Sequence, residues 1–94
     1  MSEEQRQTVE MIKRREQDIE IMQLLLKHKL TKKKAEYKLM IMYYKACNII
    51  SKTKLIIMRN EEGNIGTPRI PQTYTGIQHL SQWYEQIERQ ASSL

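Results

Sequence analysis

One stretch of this chain is apolar almost all the way round when wound as a helix. Between Tyr37 and Ile50 it carries Tyr37, Leu39, Met40, Met42, Tyr43, Tyr44, Ala46, Cys47, Ile49 and Ile50. At about 100° per residue these side chains cover most of the circumference. Such a helix has to be covered on more than one side. It is therefore the centre of the fold, and the flanking segments must supply the cover. With 94 residues there is room for one domain and one modest core. Helical chains of this length often finish burying apolar surface by self-association.

The N-terminal flank, 3–29, reads as an amphipathic helix. Met11, Ile12, Ile19, Met22, Leu26 and Leu30 fall within about 100° of one another, while Arg6, Glu10, Lys13, Gln17 and Glu20 take the opposite side. Ser2 followed by Glu3 and Glu4 supplies an N-cap and the acidic first turn that a helix dipole favours. Thr31 interrupts the pattern and suits the N-cap of a second helix over 32–59. The turn is then only a few residues, which implies an antiparallel helical hairpin with Ile12 opposite Ile49 and Ile19 opposite Met42. Leu55 to Met58 also fits a strand in a short β-hairpin around 54–70; matched helix lengths favour the helix.

Residues 60–72 hold Gly63, Gly66, Pro68 and Pro71 and read as a linker. A third helix over 75–92 follows, with Thr75 to Gln78 at capping-box spacing. Ile77, Leu80, Tyr84, Ile87, Ala91 and Leu94 then repeat at alternating steps of three and four, a coiled-coil-like seam. The expected architecture is all-α: a long antiparallel helical hairpin plus a shorter C-terminal third helix, a small bundle forming one domain over 1–94.

Charge is distributed very unevenly. Residues 27–59 hold ten Lys or Arg against one acid, Glu36, whereas the segments on either side are each net acidic. The whole formal charge of +5 arises from the centre. On helix 2, Lys34, Lys38, Lys45 and Lys52 fall within about 40° and form a line roughly 27 Å long, with Ile41 and Asn48 in the same arc. Lys27, Lys29, Lys32 and Lys33 cluster at the adjoining turn. Such a row can neutralise backbone phosphates, with an affinity that falls steeply with salt. It is also what a mostly buried helix needs as its one solvated edge. Lysine suits point-charge contact rather than base readout, so DNA or RNA bound here is expected with weak sequence preference. A missing third helix before Leu55 argues against a winged helix.

The alternative is a helical adaptor or inhibitor that binds another protein. Ile77, Leu80, Trp83, Tyr84 and Ile87 would then supply an interface, or an acidic partner would meet the lysines. The seam can dock on the chain's own hairpin or pair between copies, so a homodimer is expected. Tyr37 and Tyr44, seven apart, sit beside the core, where ring packing competes with base stacking.

Catalysis is not expected. His28 and His79 lie far apart with no nucleophile or carboxylate at a recognisable spacing, and the three glycines form no phosphate loop. No cofactor is implied. Cys47, the only cysteine, allows no internal disulfide or Cys-based metal site and reads as a buried structural thiol. The charged N-terminus lacks the apolar run of a secretory signal, and no run approaches the ~20 residues of a membrane span. The expected setting is soluble and intracellular, in cytoplasm, nucleus or nucleoid. The lysine- and isoleucine-rich vocabulary suits an AT-rich genome such as that of a phage, a virus or a low-GC bacterium.

Overall fold

The computed structural model describes residues 2–28, 34–59 and 76–93. They form three α-helices: α1 (Glu3–Lys27), α2 (Lys34–Arg59) and α3 (Ile77–Ser92). The fold is a small all-α bundle. Helix α2 continues to Arg59, so the part of the alternative strand at 54–59 is helical. The rest of that β-hairpin, the Thr31 cap, the turn, the 60–72 linker and Thr75 lie outside the described residues. No helix among the described residues is long and apolar enough to cross a membrane.

Helix α1 starts where the sequence places it. The Ser2 hydroxyl accepts from the Gln5 amide at 3.2 Å, and the Ser2 amide donates to Gln5 Oε1 at 3.0 Å, a reciprocal capping box. Two of the free donors of the first turn are thereby satisfied. The N-cap of α3 is Gly76, one residue later than the expected Thr75, and it has no side chain to cap the first turn.

The apolar girth of α2 explains the arrangement. Both α1 and α3 pack on it, and among the described residues they do not meet each other. On one side of α2, Ile41 joins Ile19 and Met22 of α1 in a buried cluster, with Leu26, Tyr37 and Tyr44 packed around it. On the opposite side Ala46 is enclosed with Leu80 and Trp83 of α3, closed by Leu39, Met42, Tyr43, Tyr84 and Ile87. Near its start α1 meets the end of α2, where Glu4 pairs with Lys54, and further along Ile19 and Met22 meet Ile41 nearer the start of α2, so the two helices run antiparallel. The expected pairing of Ile19 with Met42 is not formed. One residue is about 100° of rotation, and it is Ile41 that meets Ile19, while Met42 turns toward α3.

Candidate functional site

Going round α2 from its α1-facing side to its α3-facing side, one crosses the lysine arc. Lys34, Lys38 and Lys52 are exposed and Lys45 is half-buried. The arc is not a free ridge, however. Ile41 and Asn48, which share it, are only 7% and 6% exposed because α1 closes over them. The lysines therefore rise from the flank of a helix–helix seam, stems against protein and heads toward water. Lys52 is already engaged with Glu16 of α1 at 2.9 Å, and neighbouring Lys54 with Glu4 at 3.7 Å. For Lys34, Lys38 and Lys45 no carboxylate among the described residues lies within salt-bridge distance. Lys27 is exposed in the last turn of α1; Lys29, Lys32 and Lys33 lie outside the described residues.

Two of the lysines share a concavity with acids. Between α2 and α3 runs a groove of about 470 Å³ lined by Lys38, Ile41, Met42 and Lys45 on one bank and by Ser81, Tyr84, Glu85 and Glu88 on the other. Its floor is thioether, isoleucine and ring; its rim carries two ammonium groups facing two carboxylates. Glu85 pairs one turn along with Arg89 at 3.8 Å. Burial, reinforced by the hydrogen bond to Glu88, pushes the Tyr84 phenol up to about 12. The Ser81 hydroxyl donates to the Ile77 carbonyl at 2.9 Å and also lies 3.4 Å from the Met42 sulfur.

The expected α3 interface residues are largely spoken for within the chain. Leu80 is 1% and Trp83 6% exposed, and Trp83 stacks on Tyr43 with ring centroids 6.1 Å apart and planes 16° from parallel. Tyr84 and Ile87 close the same cluster, and Ile77 alone of the set stays exposed, at 38%. The seam is thus the surface by which α3 docks on α2. What offers itself outward is the row beside the seam. Ser81 and Glu88 follow seam positions Leu80 and Ile87 directly, where coiled coils place the residues that choose partners, and that spacing was the available signal.

The hairpin seam holds a polar layer that the sequence did not announce. Thr8 and Thr53 are buried with their hydroxyls bonded to carbonyls four residues back, both at 2.9 Å. Arg15 donates to the Ser51 hydroxyl at 2.7 Å and to the Met11 sulfur at 3.2 Å. Asn48 Oδ1 is enclosed without a hydrogen-bond partner. Cys47, 1% exposed, and Tyr43 both have pKa values raised, chiefly by burial. A buried thiol held in its neutral form is a structural one.

Compared with known protein families, curated proteins and solved structures, the chain matches none.

Proposed function

We propose that this protein is a non-catalytic helical interaction module whose working surface is the groove between α2 and α3. The observation that carries the proposal is the lining of that groove. An apolar floor of Ile41, Met42 and Tyr84 lies between Lys38 and Lys45 on one rim and Glu85 and Glu88 on the other. Apolar grooves of this kind take the apolar stripe of an amphipathic helix. Rims of opposite sign fix which way round the helix lies and reject like-charged partners. The same two carboxylates weaken the case for a polyanion, since a phosphate backbone drawn to Lys38 and Lys45 also approaches Glu85 and Glu88.

The test is selection of a library of helical peptides on the immobilised protein. Enriched sequences should carry an apolar stripe at helical spacing with an acid on one flank, and should lose binding to a Met42→Glu, Lys45→Glu variant. Equal binding to that variant, or no enrichment, refutes the groove.

One observation favours a second reading, a nucleic-acid-binding accessory or regulatory protein with weak sequence preference. Lys34, Lys38 and Lys45 share one edge and, among the described residues, have no carboxylate of their own. That reading requires retention on generic duplex or single strand at about 50 mM salt, falling steeply as salt rises. It also requires loss of retention in a Lys38→Glu, Lys45→Glu variant whose helical signal is intact.

A further inference from the structure

Building on the groove as a binding surface, we infer that its occupant is a second copy of this chain. The two copies are related by a two-fold axis along the groove, so that Lys38 and Lys45 of one copy face Glu85 and Glu88 of the other. The first support is charge. The rims carry two cations on the α2 bank and two anions on the α3 bank of one groove. A two-fold axis running along that groove lays the α3 of each copy over the α2 of the other. The lysine bank of each copy then lies against the carboxylate bank of the other, twice over. Isologous contacts require this kind of self-complementarity, in which residue i meets residue j and j meets i.

The second support is unspent apolar surface on the same faces. At about 100° per residue, Ile49 and Ile56 fall on the side of α2 that bears Lys38 and Lys45, and Ile77 on the side of α3 that bears Ser81 and Glu88. Ile56 is 57% and Ile77 38% exposed. Together with Met42 and Tyr84 they give the two-helix face an apolar strip flanked by charge, the pattern of the inner surface of a four-helix bundle. Helix α2, covered by α1 and α3 on opposite sides, becomes covered on a third. Tyr84 and its Glu88 partner are then enclosed between the copies.

The experiment is sedimentation equilibrium on the full chain with two charge-reversed variants, Lys38→Glu with Lys45→Glu and Glu85→Lys with Glu88→Lys. Each is first checked for unchanged helicity by circular dichroism. The wild type should be dimeric at roughly 100 μM. Each variant alone presents four like charges to its own copy and should be monomeric. Mixed one to one, they should form a heterodimer in which every facing pair is again opposite. A monomeric wild type, variants that dimerise as well as the wild type, or a mixture that stays monomeric overturns the inference. Should the wild type be monomeric while selected peptides still bind the groove, the interaction module stands and the second copy alone is rejected.

Discussion

Replacing Asn48 by leucine should make this protein more stable, and the structure gives the size of the effect. Asn48 is 6% exposed in the arc of α2 closed by α1, and its Oδ1 has no hydrogen-bond partner. A buried acceptor left unsatisfied costs about 1–3 kcal/mol, the desolvation penalty of the group. Leucine has the same branching and the same number of side-chain heavy atoms, so it fills the site without the overpacking a longer residue brings. It also has the better helix propensity, by a few tenths of a kcal/mol. The net gain is about 2 kcal/mol. For a domain of 60–100 residues each kcal/mol moves the midpoint by about 4–8 °C, so Tm should rise by roughly 8–16 °C. Thermal unfolding at 222 nm measures it, at one fixed chain concentration so that self-association contributes equally. A midpoint unchanged or lowered, with the helical signal intact, would show that the Asn48 carbonyl is satisfied in solution and would refute the reasoning. If the midpoint rises, the unpaired Asn48 carbonyl makes sense as a device of register, since a polar position in a helix seam sacrifices stability to fix alignment.

Three further outcomes follow from the packing. Leu80→Ala empties the centre of the α2–α3 cluster and should cost about 2–5 kcal/mol in urea unfolding, with the Trp83 emission shifting red as its cover loosens. Lys52→Ala removes a pair whose side chains are each about half exposed, so its effect should stay below about 1 kcal/mol; a larger loss would mean the Glu16 contact is desolvated. The phenol of Tyr84 is raised from its usual value near 10 to about 12, mainly by burial. Its contribution to stability is complete below pH 10 and is lost as pH rises from 10 toward 12, because the unfolded chain ionises first. Denaturation midpoints across that window should fall more steeply for the wild type than for Tyr84→Phe, and equal slopes would contradict the shift.

What the sequence discloses and what it hides divide along a physical line. Periodicity is local, so the three helices, the capping Ser2, the central place of α2, the interior position of Cys47 and the place of Tyr44 beside the core are all legible from spacing. Rotation about a helix axis is not local. Ile41 and Asn48 share an arc with four lysines, and nothing in one sequence says whether lysine or isoleucine decides which way that arc turns. The structure turns it so that α1 buries Ile41 and Asn48 while the lysines lean out beside them. Counter-charges are hidden for the same reason. Glu16 lies 36 residues from Lys52, and Glu85 and Glu88 lie beyond the linker from Lys38 and Lys45. Only the fold brings them level. A charge block that looks unbalanced along the chain is therefore partly balanced in space.

That, among the described residues, the two flanking helices touch only α2 has an energetic consequence. The α1 cluster and the α3 cluster share no apolar side chain, and α2 alone joins them. Loosening of α3 should therefore leave the hairpin's own contacts standing, because the packing of Ile19 and Met22 on Ile41 does not run through Leu80 or Trp83. The hairpin has its own specifying layer in Arg15, Ser51 and Asn48, whereas α3 is held by one leucine, one indole stacked on Tyr43, and the rings and aliphatics around them. Its N-cap, Gly76, has no side chain with which to cap the first turn. By this accounting α3 is the element of lowest local stability. Its outward row is also the half of the groove that carries the carboxylates. A partner that spans the groove binds α2 and α3 together, so it should stabilise the docked state of α3 in proportion to its affinity. Binding and the docking of the third helix are then one coupled equilibrium.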